Sequence, residues 1–537
     1  MLKRTPGIII VAALLLLCVQ CAKKGMPEGG PEDEEPPKFI RANPENYNTN
    51  FSANEIRIFF NEYIKLEDAR QQIVISPPIE PRPSIMPMGT ARKDVMIENL
   101  DSLQENTTYT INFGKSIVDN NEGNPLPYFK YVFSTGDYLD SLSVSGNVKD
   151  AYLKAPAEFI SIFLYPVDST FSDSLVYKET PRYITYTLDS SVNFKLENLK
   201  EGTYQMLAIE DKNDNYLFNP KNEKIAFLED YITLPTDSTY QLTLFKENLA
   251  FEPKRPKLLK GNQILFGYEG KKGVDSVKIN LLTPKPAGYK SRIVKDEKTD
   301  TLYYWYNIRP ETDSLSFEVV SPQRRDTLFT KISKADRDSL RVTTEPTGNI
   351  EFAQDFKLKA NTPITSFDED FITIRDKDSV LVPFTTKMRR LENEIIISFE
   401  KEESAKYQVL ALPGAVTDLF EETNDTIRQS LSTKAYSEYG SIILRLQNVK
   451  KYPILVQLSN EKGELQAEKV SNGENSFHFR FLKPAKYLIR VIYDDNANGK
   501  WDTGNYLEKQ QPEEIQYYND TIQVRSNWDM NENFILK

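Results

Sequence analysis

The chain is predicted to be all-β, a succession of β-sandwiches, on three observations. Period-2 apolar stripes recur from near residue 55 to the C-terminus, the pattern of strands with one buried and one wet face. Asp, Asn, Gly and Pro clusters such as "DNNEGNP", "KNDN" and "NANGK" cut these stripes at short intervals, as turns do. No long segment keeps a 3.6-residue period. The best helical candidates, 331–340 and 415–422, are expected to hold a few turns at most.

Composition agrees and narrows the function. Length alone allows three to five domains: 537 residues, at about 100–200 residues per domain. The 29 Tyr and 29 Phe are too many for a disordered chain, and frequent Thr, Val and Ile favour strands. Charge is mildly acidic, −11 from 78 acids against 67 bases. Spread along the chain, that balance argues against a nucleic-acid partner, which needs a clustered basic surface. His478 is the single histidine, which removes His-based triads and multi-His zinc sites. "SFHFR" places it in an alternating pattern, as a plain strand residue.

The first element is a leader, residues 1–20. Lys3 and Arg4 precede an uncharged run from Gly7 to Val19, shorter than the roughly 20 residues a spanning helix needs. It reads as an export signal and is set aside in reasoning about the fold. No A-x-A-like site follows; the run ends in cysteine, as in bacterial lipoprotein signals. Cys21, followed by Ala22, is the expected lipidation site, with Cys18 as the fallback; the alternative is that both leave with the signal. With Cys21 acylated, the mature chain has no free thiol and no disulfide, so its domains must be stabilised by burial. Residues 21–35 then form a flexible tether of about 20 Å root-mean-square span.

Beyond the tether, "EIRIFF" puts Ile56, Ile58 and Phe60 on one face, and "TTYTINFG" does the same with Tyr109, Ile111 and Phe113. Ile160, Ile162 and Leu164 follow, then Tyr452, Ile454, Val456 and Leu458, then Tyr487, Ile489 and Val491. Two of these regions are copies. "GTYQMLAIEDKNDNYLFN" (202–219) aligns without a gap to "AKYLIRVIYDDNANGKWD" (485–502), matching Asp211 to Asp494, Asn213 to Asn496 and Asn215 to Asn498. A weaker match links 117–136 to 415–434, Asp119 to Asp418 and Ser134-Thr135 to Ser432-Thr433. The order is therefore A–B–C–A′–B′.

The A unit, from "PPKFIRANPEN" through "IRIFFNEYI" and "LQENTTYTINFG" to "YVFSTG", resembles the bacterial Ig-like domain of the SbsA type. The B unit, with "FKLENLKEGTYQMLAIED" and its Asp/Asn turn, is similar to transthyretin/carboxypeptidase-regulatory-like sandwiches. The resemblance implies an SbsA-type Ig-like domain over 36–137, a transthyretin-like sandwich over 138–250 and an Ig-like sandwich over 251–345. It implies a second Ig-like domain over 346–436 and a second transthyretin-like sandwich over 437–537. From "CAKKGMPEGGPEDEEPP" to "DDNANGKWDTGNYLEKQQPE", the whole arrangement resembles a family of Ig-like lipoproteins from Bacteroidota. What this implies is an outer-membrane lipoprotein without catalysis, an accessory subunit around membrane machinery. The β-barrel assembly complex, or surface lipoprotein export, is its expected host, and an outer-membrane β-barrel protein and other lipoproteins its partners. Lys23 and Lys24 precede the acids Glu32, Asp33, Glu34 and Glu35, which departs from the surface-export pattern and leaves the face open between cell surface and periplasm, with the surface preferred.

"DDNANGKWD" carries the strongest chemical signal. With Asp494 as position 1, oxygen ligands fall at Asp494, Asn496, Asn498, the Trp501 carbonyl and Asp502, the early positions of an EF-hand-type calcium loop. Asn505 stands where a bidentate Glu belongs, and Tyr216 and Asn219 replace Gly499 and Asp502 in the first copy. The same residues also make a hairpin turn with Asx bonds, the preferred reading here. No cofactor is expected beyond that calcium. The pair Asp494/Asp495 would suit a glycosidase only if both faced one cleft, and strand neighbours face opposite ways. Aromatic runs "YYWY" (303–306) and "QYY" (516–518) fit core packing. A surface glycan-binding or adhesion lipoprotein is the alternative function; it predicts aromatics gathered at one loop end.

Overall fold

The computed structural model describes residues 33–156, 158–187, 192–334 and 336–537. The lipidation candidates Cys18 and Cys21, the leader and most of the tether lie outside them. The chain divides into two units, one ending at Leu142 and taking in Glu197–Lys200, the other holding Ser143–Leu196 and Glu201–Lys537. Among the described residues no helix is long and apolar enough to cross a membrane.

In the first unit the stripes close on one another as expected. Glu55–Leu66 is flanked by Phe39–Asn43 and Arg92–Glu98, with Ser84–Met86 beyond and Ile117–Asp119 on the far half of the strand. Val74–Ser76, Thr108–Asn112 and Lys130–Ser134 form the facing sheet. Ile56, Ile58, Phe60, Tyr109, Ile111 and Phe113 all enter one buried core, and Tyr109 stacks on Phe133 at 5.3 Å.

The second unit contains the two B-type sandwiches, and they share one topology. In each, a central strand (Gly202–Ile209; Lys486–Tyr493) pairs antiparallel with an earlier strand (Ser161–Pro166; Ile454–Ser459) and with two short strands after it. In each, the last strand (Thr239–Leu244; Asp529–Ile535) runs parallel to the first (Leu142–Asp150; Gly440–Gln447). Between them in sequence, residues 251–332 build a sandwich around Phe266, Tyr304, Tyr306 and Phe317, and residues 342–432 build another around Phe356, Ile374, Ile397 and Leu431.

Two expectations are corrected. Alternation predicts a wet face for the strands Ser161–Pro166, Ile454–Ser459 and Lys486–Tyr493, yet Phe163, Leu455, Gln457, Arg490 and Ile492 are buried as well. Further chain covers their outer faces, and alternation in sequence reports only the face that lines the strand's own core. The second correction concerns the two helical candidates. No described residue of 331–340 or 415–422 is helical. Val416–Asp418 pairs with Ile364–Phe367, and Asp418 Oδ1 accepts the N–H groups of Phe420 and Glu422, each at 2.9 Å. An aspartate that bonds its own downstream backbone offers those amides an alternative to a helix. Asp119 does the same in the first unit, taking four N–H groups from residues 121–124. Burial raises its pKa and those four donors lower it, with a net fall.

Candidate functional site

The Asp494 loop leaves the central strand Lys486–Tyr493, and its first job is to satisfy its own backbone. Asp494, buried to 3% exposure, accepts the Asn498 N–H on Oδ1 at 3.0 Å and the Gly499 N–H on Oδ2 at 2.8 Å. Asn496 Oδ1 also takes the Asn498 N–H (3.1 Å), and Asn498 Oδ1 takes that of Lys500 (2.8 Å). The amide nitrogens of Asn496 and Asn498 both donate to Asp502 Oδ2, at 2.5 and 2.6 Å. Trp501 turns its indole N–H to the Glu513 carbonyl at 3.1 Å. Asp495 is paired with Lys451 at 2.5 Å.

Calcium would need the oxygens of Asp494, Asn496 and Asn498 turned inward together with Asp502. Here both Asp494 oxygens and both asparagine carbonyl oxygens accept backbone N–H groups, and amide nitrogens face Asp502. Among the described residues no three His, Cys, Asp or Glu side chains stand together to hold a metal.

A glutamate that the motif does not contain completes it. Glu513, 8% exposed, accepts the Asp495 N–H on Oε1 and the Asp502 N–H on Oε2, both at 2.8 Å. The first copy repeats this. Glu223, with no exposed surface, accepts the Lys212 N–H on Oε1 (3.2 Å) and the Asn219 N–H on Oε2 (2.7 Å). In both copies the clamped amides are those one and eight residues after the leading aspartate. Burial raises the pKa of Glu223 and Glu513, while the donated hydrogen bonds oppose it. The backbone matches too: Tyr216 adopts φ 60° where Gly499 has 75°, and Asp214 adopts 51° where Ala497 has 58°. The tyrosine in place of glycine does not change the turn. An ungapped alignment ending at 219 and 502 cannot show the clamp, because Glu223 and Glu513 lie 12 and 19 residues after the leading aspartate.

The second loop sits where the two B-type sandwiches meet, with Trp501 on the Tyr152 ring. Arg490, on the outer face of its strand and wholly buried, donates to Gln457 Oε1 (2.7 Å), Tyr152 Oη (2.7 Å), Tyr517 Oη (3.2 Å) and the Tyr152 carbonyl (3.4 Å). Its guanidinium carbon lies 4.2 Å from the Tyr152 ring centroid. Tyr517 Oη donates to the Tyr152 carbonyl at 2.5 Å, and Trp501 packs on the Tyr152 ring at 4.8 Å. In return, Tyr506 rests on Phe227 at 5.4 Å, donates its N–H to Glu247 (2.8 Å) and donates its hydroxyl to Asp173 (3.2 Å). Lys509 joins Asp173 at 2.5 Å, and Thr503 donates its hydroxyl to the Lys246 carbonyl at 2.7 Å. Each sandwich thus lends a segment to cover the other.

The aromatic runs are spent on packing. Tyr304, Trp305 and Tyr306 are buried, Trp305 on the outer face against Phe420 at 6.3 Å. Tyr517 meets Arg490 and Tyr152, and Tyr518 packs on Phe534. His478 is half-buried on Ser476–Leu482, with Nδ1 accepting from Arg480 Nε at 3.0 Å. Burial, then the charge of Arg480, lowers its pKa.

Residues 33–135 match the family model of a bacterial Ig-like domain. No curated protein matches the chain. Among solved structures, it is similar to domains 1–6 of the surface layer protein SbsC, with 12% identity over 87% of this chain and 67% of that one, TM-score 0.13. It is similar to the four N-terminal Ig domains of Dscam1 isoform 9.44, with 11% identity over 74% and 98%, TM-score 0.15. The major pilin subunit BcpA of Bacillus cereus gives 10% over 74% and 99%, TM-score 0.13. Scores this low say nothing of arrangement. The class is an all-β chain of successive sandwiches, of which the first matches a bacterial Ig-like domain.

Proposed function

We propose that this chain is a non-catalytic lipoprotein, anchored through Cys21 to the outer membrane, that serves as a contact subunit of an outer-membrane protein complex. Its expected work is as an accessory of outer-membrane protein assembly or surface lipoprotein export, beside a β-barrel protein. The observation that supports this most is the mutual coverage of the two B-type sandwiches. Their outer faces are consumed in holding one another, through Arg490, Tyr152 and Tyr506. A body stiffened this way presents edges and loops at fixed positions, which suits docking, because the backbone of a pre-organised interface moves by about 1 Å or less on binding. The short apolar leader ending in cysteine supports the anchor, since acyl chains add about 0.8 kcal/mol per buried CH₂. Capture from detergent-solubilised membranes tests the reading. A barrel protein should copurify with the wild type. Recovery of the chain alone, or equal membrane retention of Cys21→Ser and Cys18→Ser/Cys21→Ser, would overturn it. Specific retention on a glycan array would favour the adhesion alternative instead.

A further inference from the structure

The two B-type sandwiches differ at one place where their shared fold makes the comparison direct. In the second, Tyr518 follows the short strand Ile515–Tyr517 and donates its N–H to the Ile489 carbonyl. Its ring packs on Phe534 at 5.4 Å and its hydroxyl donates to Glu532 at 2.8 Å. Phe534 and Glu532 lie on the last strand of the facing sheet, so Tyr518 closes the side of the sandwich. Gln516 adds two bonds to Lys537 there, at 3.0 and 2.8 Å.

In the first sandwich the matching residue is Leu228. It follows Ile225–Phe227 and gives its N–H to the Met206 carbonyl, and Met206 aligns with Ile489. Here the sheets touch through the Ile225–Phe245 bridge, with bonds of 3.0 and 2.9 Å, and then part. Between Leu228 and the last strand, Thr239–Leu244, lies a cleft of about 470 Å³. Tyr240, Gln241 and Thr243 line one side, Leu228 and Ile232 the other, and Gln511 and Ile515 of the second sandwich the top. That volume falls in the range of about 300–1,000 Å³ typical of ligand sites. Among the described residues, Thr239–Leu244 is the terminal strand of its sheet, paired only with Leu142–Asp150 apart from the bridge at Phe245.

Charge at the mouth is mainly acidic. Glu229 and Asp230 are exposed in the lining, and no ion pair holds either among the described residues. Lys149 stands against them, while Asp150 is neutralised by Lys224 at 2.5 Å and Glu514 by Lys450 at 3.3 Å. Glu513 takes only backbone N–H groups.

We propose that this cleft receives an extended segment of a partner protein, laid along Thr239–Leu244, with an aromatic side chain where Tyr518 sits in the second sandwich and a lysine or arginine beside Glu229 and Asp230. Strand addition to an open sheet edge supplies affinity through the main chain, and the side pocket supplies selection. The inference rests on the proposed contact function and names the kind of partner.

The test uses the mature chain with methyl-labelled Ile and Leu and the peptide acetyl-Thr-Lys-Tyr-Lys-Thr-amide. Saturable shifts of the Leu228, Ile232 and Ile515 methyls are expected. Replacing both peptide lysines by glutamate should weaken binding at least about tenfold, the sign that unpaired acids impose. Leu228→Tyr, which supplies from within what the second sandwich already has, should abolish the shifts while leaving the thermal midpoint unchanged or raised. Glu229→Lys/Asp230→Lys should weaken binding without altering the fold. Absence of shifts in the wild type, equal binding of the glutamate peptide, or full binding by Leu228→Tyr would overturn the inference. A barrel protein captured equally by wild type and Leu228→Tyr would also overturn it, yet leave the contact function standing.

Discussion

Replacing Arg490 should loosen the join between the two B-type sandwiches more than any other single change at that surface. The guanidinium makes two bonds of 2.7 Å, to Gln457 and the Tyr152 hydroxyl, and two longer ones. Hydrogen bonds to a charged group contribute about 1.5–3 kcal/mol each, and a desolvated cation–π contact about 2. Against this gross gain of ~6 kcal/mol stands the cost of holding a charge out of water, which an apolar residue of similar length would remove. Arg490→Met is therefore expected to cost about 3 kcal/mol, and Tyr152→Phe, which strands one guanidinium N–H, about 2. The double variant should cost ~3 kcal/mol, short of the sum of the two, because both changes delete the same bond; the coupling is then about 2 kcal/mol. Urea unfolding followed by Trp501 fluorescence measures all corners of the cycle, since Trp501 packs on Tyr152. A cost under about 1 kcal/mol for Arg490→Met, or additive single changes, would refute the idea that this arginine ties the sandwiches together.

Further outcomes follow from the loops and the charges. Glu223→Ala leaves the Lys212 and Asn219 N–H groups without their acceptor and should cost about 3 kcal/mol by chemical denaturation, at about 1–3 per buried orphan; Glu513→Ala, less deeply buried, should cost less. Both glutamates have raised pKa values, so what they contribute is fully present below the ordinary carboxylate range and is lost as pH rises through their folded values. A gain in stability between about pH 4 and 7 that disappears in Glu223→Gln/Glu513→Gln would have the wrong sign. Calcium at about 2 mM should not move the unfolding midpoint relative to chelator; a site with Kd near ~1 mM would add ~0.6 kcal/mol, and a shift of that size that Asp502→Ala removes would restore the calcium loop. Glu269, held by Lys221 at 2.6 Å and Lys254 at 2.8 Å, is lowered to about 2 by those two lysines. Its contribution is present above its ordinary value and lost as pH falls toward about 2. A carboxyl titration by NMR that stays near the ordinary glutamate value of about 4.3 in the wild type, at low salt, would contradict the pairing.

The inward stripes are legible because a strand shows its core face in every second residue, and Ile56, Tyr109, Ile454 and Tyr487 lie where alternation puts them. The outer faces are not, because nothing in "YLIRVIY" distinguishes an arginine bound for water from one bound for another sandwich 338 residues away in sequence. The Asp/Asn loops show themselves through their repeat, and their role as turns follows from oxygens that bond the adjacent backbone. Their clamps, Glu223 and Glu513, escape the repeat because the spacers before them differ in length, 12 residues in one copy and 19 in the other. A search for one acidic residue shared just ahead of the next short strand, in "NEKIAF" and "PEEIQY", would find them. The helical candidate at 415–422 fails at Asp418, whose side chain holds amides that a helix would use.

The proposed function has the molecule working by contact while acylated Cys21 holds it to a membrane. Cross-linking in intact cells, followed by mass spectrometry of tagged chain, measures that directly. Links from the sandwich loops to an outer-membrane β-barrel protein, and a diacylated or triacylated Cys21 at the mature N-terminus, are expected. Links confined to the chain itself, with an unmodified N-terminus in the soluble fraction, would contradict it.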